Sequence, residues 1–236
     1  MRRNLHFRRK ELGMGIFIDL EGLDGCGKTT QTELLCSRFE SEGIRYKKIK
    51  LPDYDSDSSV LVRKYLAGDF GKAAGDVNAY AASALYAVDR FASFTEKWKN
   101  AYLDGTLIFA DRYTPANAIY QMTKLDRADW DYYLEWLFDF EYKKIGIPEP
   151  DAVIFLDMPV EVSQRLMTRR YMGDESKKDV HEADVAFLEH CRSAALYAAE
   201  KYGWVLIPCS ENGEPLPREI INEKIYSAVL SVINKA

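Results

Sequence analysis

Residues 22–29 have types and a spacing that suit the binding of phosphate groups. Gly22 and Gly27 are separated by four residues, and Lys28 and Thr29 follow directly, which is the P-loop pattern. Glycines let backbone N–H groups turn around a phosphate, and the start of a following helix adds partial positive charge. A plain glycine turn is the alternative. The β-rich run before the pattern and the helical pattern after it favour nucleotide binding.

The same loop predicts how a nucleoside triphosphate is held. We expect Lys28 to bridge the β- and γ-phosphates of the nucleotide and the Thr29 hydroxyl to be a ligand of Mg²⁺, the predicted cofactor. The loop itself indicates ATP or GTP, of which ATP is the predicted co-substrate. Thr30 lies in the loop, but its side chain is expected on the helix surface or in packing contacts rather than on the metal. The predicted ATP-binding residues are Gly22, Asp24, Gly25, Cys26, Gly27, Lys28, Thr29 and Thr30.

An acid and an arginine follow the apolar run at residues 107–110. In an open parallel sheet, ligands bind outside the carboxyl ends of the strands, so Asp111 and Arg112 are expected beside the P-loop. Asp111 is predicted to organise Mg²⁺ or its waters, and Arg112 to clamp a phosphate with its forked guanidinium. A purely structural acid–arginine pair at the strand end is the alternative.

Tyr86 and Arg90 are four residues apart on a predicted helix and therefore project from one face. An aromatic plane beside a forked cation suits stacking on a base and reading of its edge. The alternative is a tyrosine packed in the core and an arginine in an exposed salt bridge.

The elements that must position these residues alternate along the chain. Helical and strand periodicities predict a central parallel sheet flanked by helices. With the P-loop pattern, this indicates a three-layer α/β fold of the P-loop NTPase type, to which a mobile lid is added below. Residues 14–236 are predicted to form one P-loop domain, and the basic residues 1–13 a disordered extension. The predicted strands are 15–20, 46–51, 107–110, 153–156 and 204–207; the predicted helices include 28–42, 60–67, 78–103, 126–142 and 160–170.

Composition limits the classes of partner. The 236 residues are 47% hydrophobic and carry a net charge of −5, which disfavours nucleic acid as the main partner. The longest apolar runs are too short for a membrane helix. The four cysteines form no CxxC pair, so a reduced, cytoplasmic protein is expected.

A polar, cation-rich stretch from about residue 165 to residue 184 is the predicted lid. Transfer of a phosphoryl group must exclude water, and lid cations can neutralise the charge that develops. The candidate cations of this stretch are Arg165, Arg169, Arg170, Lys177 and Lys178. A solvated helix end and loop is the alternative interpretation.

Three motifs together are similar to those of thymidylate kinases. They are the EGLDGCGKTT loop, the helix motif of Tyr86 and Arg90, and the DRY sequence at 111–113, in matching order and spacing over residues 15–230. The resemblance implies a phosphotransferase, a nucleoside-monophosphate kinase that moves a phosphoryl group from ATP-Mg to a deoxynucleotide, dTMP giving dTDP. It also implies small-molecule nucleotide partners and a homodimer.

The resemblance assigns roles to individual residues. Asp24 would contact the sugar 3′-hydroxyl, Tyr86 would stack on the base and Arg90 would read its edge. Asn117 would contact the base, and Tyr120 would crowd the sugar 2′ position and so select deoxyribose. The implied acceptor set is Asp24, Tyr86, Arg90, Arg112, Asn117 and Tyr120; the catalytic set is Lys28, Asp111, Arg112, Arg169 and Arg170; the metal ligands are Thr29 and Asp111.

Two positions depart from the family pattern. Tyr54 stands at or near the place of an arginine that holds the acceptor phosphate, and the surrounding acids would repel a monophosphate. Arg63 or Arg112 is a candidate to compensate. Val180 replaces a lid arginine. These departures keep two alternatives open: a kinase for another deoxynucleotide or a deoxynucleoside, and a non-catalytic nucleotide sensor.

Overall fold

The structure, a computed structural model, describes residues 13–71, 75–170, 172 and 184–235. Most of the predicted extension, residues 1–12, lies outside this part of the chain. So does much of the predicted lid, including Lys177, Lys178 and Val180.

The strands of the described residues form a parallel sheet and a small antiparallel hairpin. The sheet has the order β2-β3-β1-β4-β5. This arrangement, with helices on both faces, confirms the predicted α/β P-loop fold. The strands are β1 (Phe17–Gly22), β2 (Tyr46–Lys50), β3 (Leu107–Asp111), β4 (Ala152–Asp157), β5 (Val205–Pro208), β6 (Ser210–Glu211) and β7 (Glu214–Pro215).

The α-helices of the described residues connect and cover these strands. They are α1 (Lys28–Ser41), α2 (Val60–Leu66), α3 (Ala79–Ser93), α4 (Lys99–Leu103), α5 (Pro115–Tyr120), α6 (Trp130–Phe138), α7 (Val160–Arg170), α8 (Val185–Tyr202) and α9 (Arg218–Ile233). Among the described residues, no helix is both long and apolar enough to cross a membrane.

The central strand β1 is buried along its whole length, and its alternating side chains divide the core. Ile18 and Leu20 pack with the apolar residues of α1 and α9 on one face of the sheet. Phe17 packs on the opposite face against Trp98 and Tyr113. Because every position of β1 is inside, the acids Asp19 and Glu21 on this strand are fully buried as well.

Two of the long predicted helices end earlier than their periodicity indicates. The helix expected over residues 78–103 is interrupted by a π turn at Phe94–Trp98, and the helix expected over 126–142 changes to a π turn at Asp139–Ile145. A π turn inserts an extra residue into the helical repeat and is common at functional sites. The second π turn carries Glu141 into the core beneath the site.

The carboxyl ends of β1 and β3 lie side by side, because Leu20 pairs in register with Asp111. The P-loop follows β1 directly, so the predicted donor and acceptor residues converge on this edge. A separate cleft of about 1010 Å³ opens at the amino edge, where Met14, Tyr102, Phe138 and Tyr142 are among its lining residues. None of the predicted site residues lines that cleft.

Candidate active site

The P-loop requires its glycines for reasons of space and of backbone conformation. Gly25 has φ +76°, and a Cβ there would lie 2.8 Å from Cγ of Met167. A Cβ on Gly22 would lie 2.6 Å from the Cys26 sulfur. Gly27 is left-handed at φ +89° and precedes the first turn of α1, where its carbonyl accepts a hydrogen bond from the Gln31 N–H. The loop therefore turns tightly and delivers the N-terminus of α1 to the edge of the sheet.

Lys28, Thr29 and Asp111, the residues predicted to bind the phosphates and the metal, lie at the carboxyl edge of the sheet. Lys28 Nζ is 3.7 Å from Asp111 Oδ1, and both side chains are one-tenth exposed. Thr29 is exposed at the start of α1. In phosphoryl-transfer sites Mg²⁺ takes one or two protein ligands and completes its shell with phosphate oxygens and water. The hydroxyl of Thr29 and the carboxylate of Asp111 therefore fit the predicted cofactor. Thr30, the next residue of α1, is half-buried.

Arg112 and Asp24 are paired. Arg112 Nη2 donates to Asp24 Oδ1 at 2.6 Å, and the Tyr120 hydroxyl lies 3.4 Å from Asp24 Oδ2. The guanidinium carbon lies 4.9 Å from the centre of the Tyr120 ring. Arg112 has φ +72°, an unusual conformation for a non-glycine residue. The structure thus brings together the residues predicted for the sugar hydroxyl, the acceptor phosphate and the sugar 2′ position.

Two buried acids lie directly under this cluster. Burial raises the pKa of Glu21 to about 7, although Arg112, the Tyr113 N–H and Lys28 favour its charged form. The Tyr113 N–H donates to Glu21 Oε1 at 3.0 Å. Burial, reinforced by Glu21 and Asp111, also holds the pKa of Asp19 well above its usual value. Neither carboxyl oxygen of Asp19 has a hydrogen-bond partner among the described residues.

The two residues predicted to bind the base occupy different environments. Tyr86 is half-buried, and its ring meets the Tyr65 ring edge-on at 6.1 Å. Arg90 is 3% exposed, and its Nε and Nη2 donate to the two carboxyl oxygens of Glu141, each at 2.6 Å. The alternative interpretation of Arg90 as an exposed salt bridge is therefore wrong, because both partners are buried. Its role at the base edge stays a prediction.

Asn117 lies in the same buried network. It is 2% exposed, and its amide Nδ2 donates to Glu141 Oε1 at 3.5 Å. The Thr114 hydroxyl donates to Glu141 Oε2 at 2.8 Å. Glu141 therefore connects α3, the loop after β3 and α5. This is the principal residue that our sequence analysis did not assign to the site.

A signal for Glu141 was present in the sequence. It continues the apolar stripe of Trp130, Leu134 and Leu137 at helical spacing, so a carboxylate stands at a core position. Buried charged groups need partners. The partner Arg90 lies 51 positions earlier in the chain, and nothing local to either residue identifies the pair. Glu21 and Asp19, on an apolar strand, gave a similar signal.

The loop after β2, where the family pattern has a phosphate-holding arginine, is built differently. Tyr54 is 47% exposed. The ammonium of Lys97 donates a hydrogen bond to the carboxylate of Asp53. The backbone N–H of Asp53 donates to Asp89 Oδ2 at 2.8 Å. Arg63 Nη1 donates to the Tyr54 carbonyl at 2.8 Å and to the Ser59 hydroxyl at 2.6 Å. Arg63 thus stabilises the loop, and Arg112 is the candidate cation that lies within the site cluster.

The lid cations that the structure describes lie at the end of α7. Arg165 Nη1 donates to Glu161 at 2.9 Å, and its Nη2 donates to the Gly213 carbonyl in the β6–β7 turn. Arg169 and Arg170 are exposed in the last turn of the helix. Met167, which faces Gly25, connects this helix to the P-loop. The predicted catalytic roles of Arg169 and Arg170 stay predictions.

The fold and the loop together define a P-loop nucleotide-binding protein of the α/β class. A sequence model of the thymidylate kinase family matches residues 20–220. The chain therefore belongs to the thymidylate kinase family, a family of phosphotransferase enzymes, which confirms the resemblance.

Individual relatives agree with this assignment over most of their length. A probable thymidylate kinase of Thermococcus gammatolerans is 32% identical over 213 residues, which cover 88% of this chain and 95% of the relative. The thymidylate kinase of Fervidobacterium nodosum is 29% identical over 91% of this chain and 100% of the relative. That of Mycobacterium tuberculosis is 28% identical over 80% of this chain and 87% of the relative.

Proposed function

We propose that this chain transfers the γ-phosphoryl group of ATP to dTMP, giving dTDP and ADP. The observation that supports it most strongly is the contact of Arg112 and Tyr120 with Asp24, next to the P-loop. A phosphate cation, a sugar-binding acid and a bulky ring in mutual contact suit an acceptor that carries both a phosphate and a deoxyribose.

On the donor side, the P-loop amides and Lys28 bind the β- and γ-phosphates. Thr29 and Asp111 would hold Mg²⁺, which would neutralise phosphate charge. Lys28 lies 3.7 Å from Asp111, so the lysine assigned to the phosphates and the acid assigned to the metal are adjacent. These groups are held in place before the reaction, as electrostatic stabilisation of a transition state requires.

On the acceptor side, Arg112 orients the monophosphate so that one of its oxygens lies in line with the γ-phosphorus. A bond forms between that oxygen and the γ-phosphorus, and the bond to the β–γ bridging oxygen breaks. Arg169 or Arg170 approaches the transferred group from α7. Tyr86 and Arg90 bind the base, and Tyr120 occupies the space that a ribose 2′-hydroxyl needs.

One observation favours a second candidate, a deoxynucleoside kinase. In the loop after β2, Tyr54 stands at or near the place of the expected phosphate-holding arginine, and Arg63 is engaged with the loop itself. An unphosphorylated acceptor would not need that cation.

We further propose a homodimer and a cytoplasmic location. Val88 and Phe91 lie on one face of α3, and both are about half exposed, as is Leu66 on α2. An exposed apolar face of this kind suits contact with a second copy. Cys26, Cys36, Cys191 and Cys209 are buried and free, which suits a reducing compartment.

The experiment that tests the function is an acceptor panel of nucleosides and monophosphates, read by ADP release from ATP-Mg. We expect dTMP to give the highest kcat/KM. Activity on thymidine without activity on dTMP would replace the proposal by the deoxynucleoside kinase. Tight binding of ATP with no turnover on any acceptor would indicate a sensor.

A further inference from the structure

We propose that Glu141 is a positioning residue that sets the base specificity of the acceptor site, by fixing which hydrogen-bonding atoms Arg90 and Asn117 offer to the base. The inference rests on the proposed function. It names the group that makes the site selective for a thymine-type base over cytosine.

The carboxylate of Glu141 is fully used by its neighbours. Its Oε1 accepts from Arg90 Nη2 at 2.6 Å and from Asn117 Nδ2 at 3.5 Å. Its Oε2 accepts from Arg90 Nε at 2.6 Å and from the Thr114 hydroxyl at 2.8 Å. A carboxylate has about four acceptor positions. Because these four donors occupy them, the side chain of Glu141 is held in a single arrangement in a fully buried place.

The same contacts fix the guanidinium of Arg90. Its Nε and Nη2 together donate to the two carboxyl oxygens of Glu141. Its Nη1 donates to the backbone carbonyl of Tyr113 at 3.4 Å. Arginine carries five N–H donors in a rigid plane. Three of them take part in these bonds, so one N–H on each terminal nitrogen remains at the tip of the fork. Glu141 thereby fixes the direction of the donors at the tip of Arg90.

Glu141 also fixes the amide of Asn117. An ionised carboxylate only accepts hydrogen bonds, so it attracts the amide nitrogen and repels the amide oxygen. The Nδ2 of Asn117 therefore faces Glu141, and its Oδ1 is directed to another side. Oδ1 of Asn117 accepts no hydrogen bond from any of the described residues. Asn117 thus offers a hydrogen-bond acceptor where its flipped amide would offer a donor.

A donor from Arg90 together with an acceptor from Asn117 discriminates between pyrimidine bases. The edge of thymine or uracil presents a carbonyl acceptor at O4 next to an N3–H donor, which this pair complements. Cytosine presents an amino donor and a ring-nitrogen acceptor in the same places, so both contacts become repulsive. A site whose buried polar groups are left unpaired by the wrong substrate rejects it strongly.

The test compares Glu141→Gln with Glu141→Asp. Glutamine has its own N–H₂ group, so it can donate to Asn117 Oδ1 and let the amide turn; aspartate stays acceptor-only. For Glu141→Gln we expect a KM for dTMP raised ~10-fold or more, a smaller fall in kcat and a KM for ATP within about twofold. The preference for dTMP over dCMP, as a ratio of kcat/KM, should narrow by ~10-fold. Glu141→Asp should raise the KM but keep the preference.

Controls separate a positioning role from a loss of stability. Val229→Ala removes core contacts on α9 and should destabilise the protein without changing the dTMP to dCMP ratio. Calorimetric titration of wild type with dTMP and with dCMP needs no variant to fold, and we expect dTMP to bind at least ~10-fold more tightly.

The outcomes are distinguishable from failure of the proposed function. Wild type that does not turn over dTMP would overturn both the function and this inference. A second outcome is that wild type uses dTMP, but Glu141→Gln and Glu141→Asp lose the same amount of activity and keep the same preference for dTMP over dCMP. That outcome would overturn only the role of Glu141. Equal binding of dTMP and dCMP by wild type would overturn it as well.

Discussion

Arg112 donates a hydrogen bond of 2.6 Å to Asp24, across the carboxyl ends of two neighbouring strands. Asp24 belongs to the P-loop, and Arg112 belongs to the segment predicted to bind the acceptor. The pair joins the donor half of the site to its acceptor half. The cation that we assign to the acceptor phosphate is therefore held by a residue of the P-loop.

Replacement of Arg112 tests the geometry of that cation. Arg112→Lys keeps the charge but loses the fork that pairs with two phosphate oxygens. We expect kcat/KM for dTMP to fall by ~10²–10³-fold, measured by ADP release. The matched control is Arg38→Lys, which changes a half-buried arginine on α1 bonded to Glu42 and Glu223, and it should change kcat/KM for dTMP less than about threefold. If Arg112→Lys lowers kcat/KM for dTMP less than threefold, Arg112 does not hold the acceptor phosphate.

Replacement of Tyr120 tests selection of the sugar. Tyr120→Ala opens the space beside Asp24, so use of the ribonucleotide relative to the deoxynucleotide should rise by ~10-fold in kcat/KM. Tyr120→Phe keeps the ring and removes only the hydroxyl, and it should retain the preference for deoxyribose. If the alanine and wild-type enzymes discriminate equally, the ring does not select the sugar.

Gly25 tests the contact between the P-loop and α7. Gly25→Ala places a Cβ 2.8 Å from Cγ of Met167 in a left-handed conformation, so we expect a loss of about 1–3 kcal/mol in the free energy of unfolding. The KM for ATP should rise by ~10-fold. Chemical denaturation measures the free energy of unfolding, and steady-state kinetics measures the KM for ATP.

Gly43→Ala is the control for Gly25, because it has φ +69° but no atom within 4 Å of its Cβ. This variant introduces the backbone strain without a steric contact. Its free energy of unfolding should therefore fall by about 1 kcal/mol, and its KM for ATP should not change. Gly25→Ala combined with Met167→Ala should recover part of the ATP affinity. An equal KM for the two single variants would show that contact with α7 is irrelevant.

Glu21 predicts a dependence of stability on pH. Its pKa is raised from 4.5 to about 7 on folding, mainly by burial, so its contribution to stability is fully present below pH 4.5 and is lost as pH rises through 7. Glu21→Gln cannot ionise. Relative to wild type, its free energy of unfolding should rise between pH 5 and 7.5, by up to about 3 kcal/mol.

Urea denaturation across that pH range measures the effect. Glu200→Gln, an exposed glutamate on α8, should give a difference from wild type that does not change with pH. If the difference in free energy of unfolding between Glu21→Gln and wild type also does not change with pH, Glu21 is ionised in the folded protein throughout this range.

The order of strands and helices was predictable because it rests on local periodicity. Buried parallel strands read as apolar runs, and the P-loop pattern places its own strand and helix on either side. Boundaries shifted where tertiary contacts decide them. The interruption at Phe94–Trp98 leaves the helical apolar pattern intact, so the sequence gives no sign of a break. The short helix α5 begins at Pro115, which the pattern did not distinguish from a loop.

Positions of single residues were predictable where a motif names them, as for Lys28 and Asp111. Contacts between distant residues were not. The bond between Arg90 and Glu141 joins segments 51 positions apart, and the edge-on contact of Tyr86 with Tyr65 joins two different helices. Such contacts depend on how the layers meet, and a single sequence carries no direct record of that.

The central claim is that the acceptor is dTMP. The most direct measurement incubates γ-labelled ATP and Mg²⁺ with dTMP or with thymidine and separates the labelled products. The account predicts label in dTDP with dTMP and no labelled monophosphate with thymidine. Labelled monophosphate from thymidine, with no labelled dTDP from dTMP, would contradict it.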